Sequence, residues 1–80
     1  MKTVHIQYFA VLREQAGCSE ERLDTQASNP AELYEQVQAA RGLRLPRAML
    51  RVAVNERFTE WSAPLQHGDR VVFIPPVAGG

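Results

Sequence analysis

Hydrophobic and polar residues alternate along the first segment of the chain. Over residues 2–9, Val4, Ile6 and Tyr8 fall on one side of an extended chain, and Phe9 falls on the other. A period of two is typical of a β-strand with one buried face. The sequence therefore predicts that the chain opens with a strand.

The pattern changes after this strand. Residues 10–16 are mostly good helix formers, and Gly17 suits a left-handed C-terminal cap, which together predict one or two helical turns. Residues 18–25 are polar apart from Cys18 and Leu23, so a strand there is predicted from its position more than from its pattern.

A second, longer helix is predicted from a start signal at Asn29. Asn29 can cap a helix, Pro30 suits the first helical position, and Glu32 falls three residues after the cap. Apolar residues then recur at helical spacing before a glycine that ends the helix: Leu33, Val37, Ala40 and Gly42.

The second half of the chain predicts three more strands. Residues 43–50 contain a proline and form a connection, and residues 51–55 follow as a strand that ends in a turn. A short strand is expected near Phe58. Residues 67–69 form a turn, and residues 70–74 are apolar on both faces, as expected of a central strand.

These elements predict an α+β fold in which a mixed sheet packs on one main helix. We expect the core to include Leu33, Val37, Val52, Val54 and Val72. The domain is predicted to span residues 1–74, with residues 75–80 as an extended C-terminal tail.

Composition supports a single globular domain. The 80 residues include nine basic and nine acidic side chains, and 45% are hydrophobic, unlike a disordered tail. No apolar run approaches the ~18–20 residues that cross a bilayer, and the first residues do not form a signal peptide. A single cysteine excludes an internal disulfide. A cytoplasmic location is therefore expected.

The C-terminal segment is the least ordinary part of the sequence. It reads Pro75-Pro76-Val77-Ala78-Gly79-Gly80, in which two prolines favour an extended chain. The final glycines have no side chains, so this end can enter a narrow channel. Taken alone, a terminal Gly-Gly pair is more often a frayed end than a functional one.

Several short motifs follow one another along the chain. They are Phe9-Ala10-Val11-Leu12-Arg13-Glu14 with Gly17, then Ala53-Val54-Asn55, then Pro64-Leu65 with Gly68-Asp69 and Val71, and finally Phe73 to Gly80. In this order they resemble the small subunit of molybdopterin synthase, a sulfur carrier with the ubiquitin-like β-grasp fold. The thiamine-pathway sulfur carrier is similar, but it is usually shorter and lacks the insertion after the first strand.

The resemblance implies a function for the tail. It implies that a partner enzyme adenylates Gly80 with ATP, that Gly80 is then converted to a thiocarboxylate, and that the sulfur is donated to a pterin precursor in the large subunit, with Gly79 as part of the tail. The chain itself is expected to bind no cofactor and to have no activity alone. The resemblance also implies that the strands holding Ile6 and Val72 are parallel neighbours near the sheet centre.

The expected partners are the large subunit of molybdopterin synthase and an adenylating enzyme. Binding to nucleic acid or to a membrane is not expected. Phe9 and Phe73 are expected to be partly exposed on the sheet face that the helix leaves free, because apolar sheet faces commonly mark interfaces. The complete predicted partner interface is Phe9, Arg13, Phe73, Pro75, Pro76 and Val77.

The remaining candidate residues favour structural roles. Cys18 has no paired base in the sequence, and His5 and His67 lack metal-ligand spacing, so no metal site is expected. A basic stripe is interpreted as a solvated face or a partner contact rather than a nucleic-acid site, because the net charge is zero and no aromatic residues are interleaved: Arg41, Arg44, Arg47 and Arg51.

Two other functions remain open at this stage. Gly80 of a ubiquitin-like modifier would form amide bonds to lysines of other proteins, although Lys2 is the single lysine here for building chains. A plain β-grasp binding module would keep its activity without Gly79 and Gly80.

Overall fold

The computed structural model describes residues 1–76, so the predictions for Val77, Gly79 and Gly80 lie outside the described residues. The strands are β1 (Lys2–Tyr8), β2 (Glu20–Thr25), β3 (Arg51–Val54), β4 (Arg57–Thr59) and β5 (Arg70–Ile74). The α-helices are α1 (Ala10–Ala16) and α2 (Pro30–Arg41), and a 3-10 turn at Arg47–Met49 precedes β3. Within residues 1–76, no helix has the length and apolar character needed to cross a membrane.

The five strands form one mixed sheet in the order β2-β1-β5-β3-β4. β1 and β5 are parallel neighbours at the centre, with Ile6 opposite Val71 and Tyr8 opposite Phe73. The other three pairings are antiparallel. The predicted α+β fold and the central parallel pair are both confirmed.

The start and end of α2 follow the signals in the sequence. The Asn29 side chain accepts a hydrogen bond from the backbone N–H of Glu32 at 2.9 Å, and Pro30 occupies the first turn. The Glu32 carboxylate in turn accepts the backbone N–H of Ser28 at 2.8 Å. Gly42 ends the helix in the left-handed region at φ +70°, where a residue without a Cβ avoids strain.

One face of α2 packs on the sheet. Leu33, Tyr34 and Val37 are buried, and the Tyr34 ring meets the Phe73 ring edge-on with centroids 5.0 Å apart. Ala40 lies on the same helical stripe but is exposed in the last turn, so the packed stripe ends at Val37.

The two faces of β5 are the reverse of the sequence prediction. Val71 and Phe73 are fully buried beneath α2, whereas Val72 and Ile74 are half-buried on the face away from the helix. The predicted core position of Val72 and the predicted exposure of Phe73 are therefore wrong. Alternation places the two sets on opposite faces, but it does not say which face the helix covers. Pairing with β1, which puts Phe73 beside buried Tyr8, decides the matter.

The rest of the predicted core lies where expected. Leu33, Val37 and Val52 are buried, and Val54 packs half-buried against them. The face of the sheet away from α2, here called the open face, carries Val72 and Ile74 together with residues of the neighbouring strands.

Candidate partner-docking site

A groove of about 660 Å³ opens at the end of the sheet where β5 stops. One wall comes from the end of β1 and the start of α1, and the other from the end of β5 and the residues after it. Its lining is mostly apolar and consists of Phe9, Ala10, Val11, Glu14, Ile74, Pro75 and Pro76.

The first wall depends on a sharp turn between β1 and α1. Phe9 is extended (φ −121°, ψ 152°), so it continues the alternation of β1 and points to the side opposite Tyr8. Ala10 then takes a left-handed conformation at φ +51°, which few residues with a Cβ adopt. The Phe9 carbonyl accepts the backbone N–H of Leu12 at 3.0 Å and so starts the helix.

α1 is held in place by its buried side. Leu12 is completely buried and Ala16 nearly so. The opposite side of the helix leaves Val11 exposed beside Phe9, which is itself 44% exposed. Burial of Leu12 therefore fixes the position at which Phe9 is presented to a partner.

The second wall is the point at which the sheet gives way to the tail. Ile74 is the last residue of β5, and neither Pro75 nor Pro76 has an N–H to donate to a strand ladder. Pro75 is buried and Pro76 exposed. Pro75 and Pro76 therefore leave the sheet along this groove, next to Phe9.

Apolar character continues from the groove across the open face. Val72 of β5 lies opposite Ala53 of β3, which lies opposite Phe58 of β4. Phe58 is 59% exposed at the sheet edge, and the Arg51 guanidinium lies 4.0 Å from the centre of its ring. A contiguous apolar surface of this kind is typical of a protein interface.

The structure brings together three of the predicted interface residues. Phe9, Pro75 and Pro76 line the groove, and the predicted partial exposure of Phe9 is confirmed. Arg13 is exposed on α1 but does not line the groove. Phe73 is not available to a partner, because α2 and the Trp61 ring, stacked with centroids 6.0 Å apart, cover it.

Sequence reasoning missed four lining residues. Val11 and Glu14 are three positions apart on α1, so helical spacing alone places them on one side. Ala10 gives no signal, since nothing in its identity predicts a left-handed backbone. Ile74 could have been found: once β1 and β5 are taken as parallel neighbours, the residue after Phe73 belongs with Phe9.

A polar cluster lies away from the groove, between β1, β2 and the end of α2. The Tyr8 hydroxyl donates to a Glu21 carboxylate oxygen at 2.5 Å, and Arg41 donates to the same carboxylate through Nη2 at 2.7 Å and Nε at 3.1 Å. The hydrogen bonds from Arg41 lower the pKa of Glu21, outweighing partial burial. Burial, followed by the Glu21 carboxylate, raises the pKa of Tyr8. The cluster fastens α2 to the sheet edge.

The described residues contain no assembled catalytic centre. Cys18 is half-buried against the core. Within residues 1–76, no three His, Cys, Asp or Glu side chains are grouped to hold a metal ion. What the described residues do assemble is an apolar groove that Pro75 and Pro76 help to line.

Comparison with known proteins gives the family. The ThiS family model matches residues 6–80. No curated protein matches the chain. Among solved structures, a molybdopterin converting factor subunit 1 from Pyrococcus furiosus, described as putative, is 26% identical, with a TM-score of 0.80 over 96% of this chain and 100% of that one.

Two further structures show the same fold. SAMP1 from Haloferax volcanii is 21% identical, with a TM-score of 0.80 over 98% of this chain and 99% of that one. Subunits 1 and 2 of the molybdopterin-converting factor from Helicobacter pylori form a complex whose matching chain is 24% identical (TM-score 0.69; 98% and 99% covered). The chain belongs to the ThiS family and is a ThiS-like sulfur carrier with the ubiquitin-like β-grasp fold.

Proposed function

We propose that this chain is the sulfur-carrier subunit of a molybdopterin synthase and that the Gly80 carboxylate carries the sulfur. The supporting observation is the apolar groove that flanks Pro75 and Pro76 at the start of the tail. The similarity to the Pyrococcus furiosus converting-factor subunit supports the choice of pathway.

The proposed chemistry begins with activation of an unreactive group. A carboxylate resists nucleophiles because it is already anionic. An adenylating partner therefore joins the Gly80 carboxylate to the α-phosphorus of ATP and releases pyrophosphate. Hydrosulfide then attacks the acyl carbon, a C–S bond forms, and AMP leaves with the bonding electron pair while one proton is released. The product is a thiocarboxylate, which is nucleophilic at neutral pH without a neighbouring base.

Transfer completes the cycle in the large subunit. The thiocarboxylate sulfur attacks an electrophilic carbon of the pterin precursor, and an oxygen leaving group departs from that carbon with the bonding electron pair. Water then hydrolyses the acyl–sulfur bond and releases the proton. The sulfur stays on the pterin, and Gly80 returns to a carboxylate. No electrons are gained or lost by the carrier, so the chain can be reloaded repeatedly.

The described residues would contribute positioning rather than catalysis. Phe9 and Ile74 line the groove together with Pro75, the first residue of the tail, and would act as an apolar anchor for a partner. Two consecutive prolines restrict the backbone and reduce the entropy lost when the tail is ordered in a partner. Arg13, exposed on α1, would bind a partner carboxylate beside this anchor. Reaction rates fall steeply when a reacting atom is displaced by ~1 Å, so the anchor would set the reach of Gly80.

Intact-mass analysis tests the proposal. The chain is co-expressed with an adenylating enzyme and a sulfur donor, and the mass is expected to show one oxygen of Gly80 replaced by sulfur. A chain lacking Gly80 is expected to bind the large subunit but to transfer no sulfur, because the arm is about 3 Å shorter. Normal sulfur transfer by that chain would contradict the proposal.

Protein modification is the second candidate, favoured by the similarity to SAMP1, a small archaeal modifier protein. In that reaction a lysine amine attacks the Gly80 adenylate, forms an amide and expels AMP. Covalent adducts of the chain with other proteins, absent when Gly80 is deleted, would support it. The family model also leaves the thiamine pathway open, and sulfur transfer to a thiazole precursor rather than a pterin would identify that use.

A further inference from the structure

The arginines of this chain differ in whether their charge is already paired. Arg41 uses two N–H groups on Glu21, and Arg70 approaches Glu20 at 3.9 Å. Within residues 1–76 these are the ion pairs present. The exposed arginines of the connection before β3 and of the first residue of β3 therefore have unused donors: Arg44, Arg47 and Arg51.

These three arginines lie at the end of the sheet from which the tail departs. Arg51 begins β3 directly opposite Ile74, the last residue of β5. Arg44 donates its backbone N–H at 2.8 Å to the side chain of Gln15, which belongs to α1, the helix that forms one wall of the groove.

Arg47 lies on the helix side of the same end. Its guanidinium is 5.6 Å from the centre of the Trp61 ring. That ring in turn stacks on Phe73, the neighbour of Ile74, with centroids 6.0 Å apart and planes 8° from parallel. The aromatic ring that Arg47 contacts is therefore itself packed against the buried core residue Phe73.

Two of the three guanidinium groups lie beside an aromatic ring. The Arg47 guanidinium is 5.6 Å from the centre of the Trp61 ring, and that of Arg51 is 4.0 Å from the centre of the Phe58 ring. A ring accepts no hydrogen bond of the kind a carboxylate accepts, so the N–H donors stay available while the cation–π contact restricts the side chain. Both features favour bidentate binding of a planar carboxylate.

We propose that Arg44, Arg47 and Arg51, here called the arginine collar, bind carboxylates on the rim of the partner protein that receives the tail. The proposal rests on the proposed function, because it needs a protein that takes up the tail. The collar would guide the two proteins together and align the tail with its channel, since complementary charge mainly raises the association rate.

A protein carboxylate fits the collar better than a nucleic acid does. Glu14 lines the groove beside the collar, and Glu60 follows β4 at the same end of the sheet. These negative charges would repel a continuous phosphate backbone, whereas discrete carboxylates can avoid them. The zero net charge of the chain points the same way.

Association kinetics with matched double variants test the collar. Arg47→Gln with Arg51→Gln removes two collar charges, and Arg22→Gln with Arg57→Gln removes two exposed charges outside the collar, opposite His5 of β1 and Val54 of β3. Binding to the large synthase subunit is followed by stopped flow at ~0.01 and ~0.1 M salt, where the Debye length falls from about 30 to about 10 Å. The collar variant is expected to associate about tenfold more slowly at low salt, with the difference shrinking at high salt.

The control variant is expected to change the rate less than about twofold, within the range of a distant surface charge. Melting curves verify that both variants fold. A third variant, Arg47→Lys with Arg51→Lys, keeps the charge but not the planar fork, and should restore the rate while complexes dissociate faster. Equal slowing by the collar and control variants would overturn the proposal.

A partner-independent measurement separates the collar from the proposed function. In NMR titrations with a glutamate-rich peptide, the Arg47 and Arg51 side-chain N–H signals are expected to shift, and those of Arg22 and Arg57 to remain in place. Unmoved Arg47 and Arg51 signals overturn the collar even if Gly80 accepts sulfur. Shifts without any sulfur loading of Gly80 would support carboxylate binding by the collar and contradict the proposed role of Gly80 in the synthase. Tighter binding of a single-stranded oligonucleotide at the collar would contradict carboxylate recognition.

Discussion

Phe73 and Ile74 are consecutive residues of β5 with opposite environments. Phe73 is completely buried between Tyr34 and Trp61, and its ring has aromatic neighbours at 5.0 and 6.0 Å. Ile74 lies half-buried on the open face and forms a wall of the groove together with Phe9. One strand therefore supplies the centre of the core and the edge of the docking surface.

The two environments imply different kinds of constraint on the same strand. On the sheet face that α2 covers, each side chain is surrounded by others, so a smaller side chain there lowers the free energy of unfolding. On the open face, the missing neighbours belong to another protein, so loss of volume acts on the affinity of the complex. The fold and the docking function can therefore be disturbed separately by adjacent substitutions.

The largest expected effect is that of Phe73→Ala. Removing a fully buried aromatic side chain should lower the free energy of unfolding by about 3–5 kcal/mol, enough to unfold a small domain. Ile74→Ala should lower it by about 1 kcal/mol, because half of the side chain already contacts water. Urea unfolding measures both, and Phe73→Leu provides a milder variant if Phe73→Ala does not fold. Similar losses of unfolding free energy at both positions would contradict the assignment of Phe73 to the core and Ile74 to the docking surface.

The second effect concerns affinity. Phe9→Ala should weaken binding of the large subunit by about 1–3 kcal/mol and leave the unfolding free energy nearly unchanged, as for an exposed anchor of an interface. Phe58→Ala provides the comparison, because Phe58 is also exposed and on the open face but lies outside the groove; it is expected to lose less affinity, through its contact with Arg51. Titration calorimetry compares the two. If both variants lose the same affinity, Phe9 is not a specific anchor, and the groove contributes no more to binding than the rest of the open face.

Much of the covered face could be predicted from the sequence. Asn29 and Pro30 start α2 through local backbone chemistry, and Leu33 and Val37 define its buried side by helical spacing. These signals are local, so a single sequence contains them. The prediction for Phe73 and Val72 was wrong because alternation along a strand separates two sets of residues but does not show which set faces the helix. That information comes from the pairing with the neighbouring strand.

The groove was predictable only in part. Phe9 and the two prolines stand out as an exposed aromatic residue and a pair that cannot continue a ladder. The left-handed Ala10 and the alignment of Arg47 on Trp61 depend on residues far apart in sequence or on a strained backbone. Neither leaves a pattern in composition or periodicity. The arginines of the basic stripe were visible, but their separation into paired Arg41 and unpaired Arg51 required the structure.

A smaller effect concerns the polar edge of the covered face, where Arg41 lowers the pKa of Glu21. A carboxylate whose pKa is lowered in the folded state stabilises the fold above its unfolded pKa of about 4.3, and this contribution is lost as pH falls through the folded pKa. Glu21→Gln should therefore be less stable than the wild type near neutral pH, with the difference disappearing in acid. Thermal unfolding across pH measures it. Arg41→Gln should remove the same pH-dependent increment, and a difference that persists unchanged in acid would contradict the assigned cause.

The smallest expected effect distinguishes the backbone at Ala10, in the groove wall, from the backbone of α2. Ala10 is exposed at φ +51°, whereas Ala39 is exposed within α2. Glycine in a helix interior costs roughly 0.5–1 kcal/mol relative to alanine, so Ala39→Gly should lower the free energy of unfolding by that amount. At Ala10 the left-handed backbone already penalises alanine by about 1–2 kcal/mol, which offsets the greater freedom that glycine gives the unfolded chain. Ala10→Gly should therefore leave the free energy of unfolding unchanged or raise it by up to about 1 kcal/mol. Urea unfolding of the two variants, with identical atoms removed at similarly exposed positions, gives the comparison directly. An equal loss of unfolding free energy at both positions would mean that the left-handed backbone at Ala10 is no more strained than the helical backbone at Ala39.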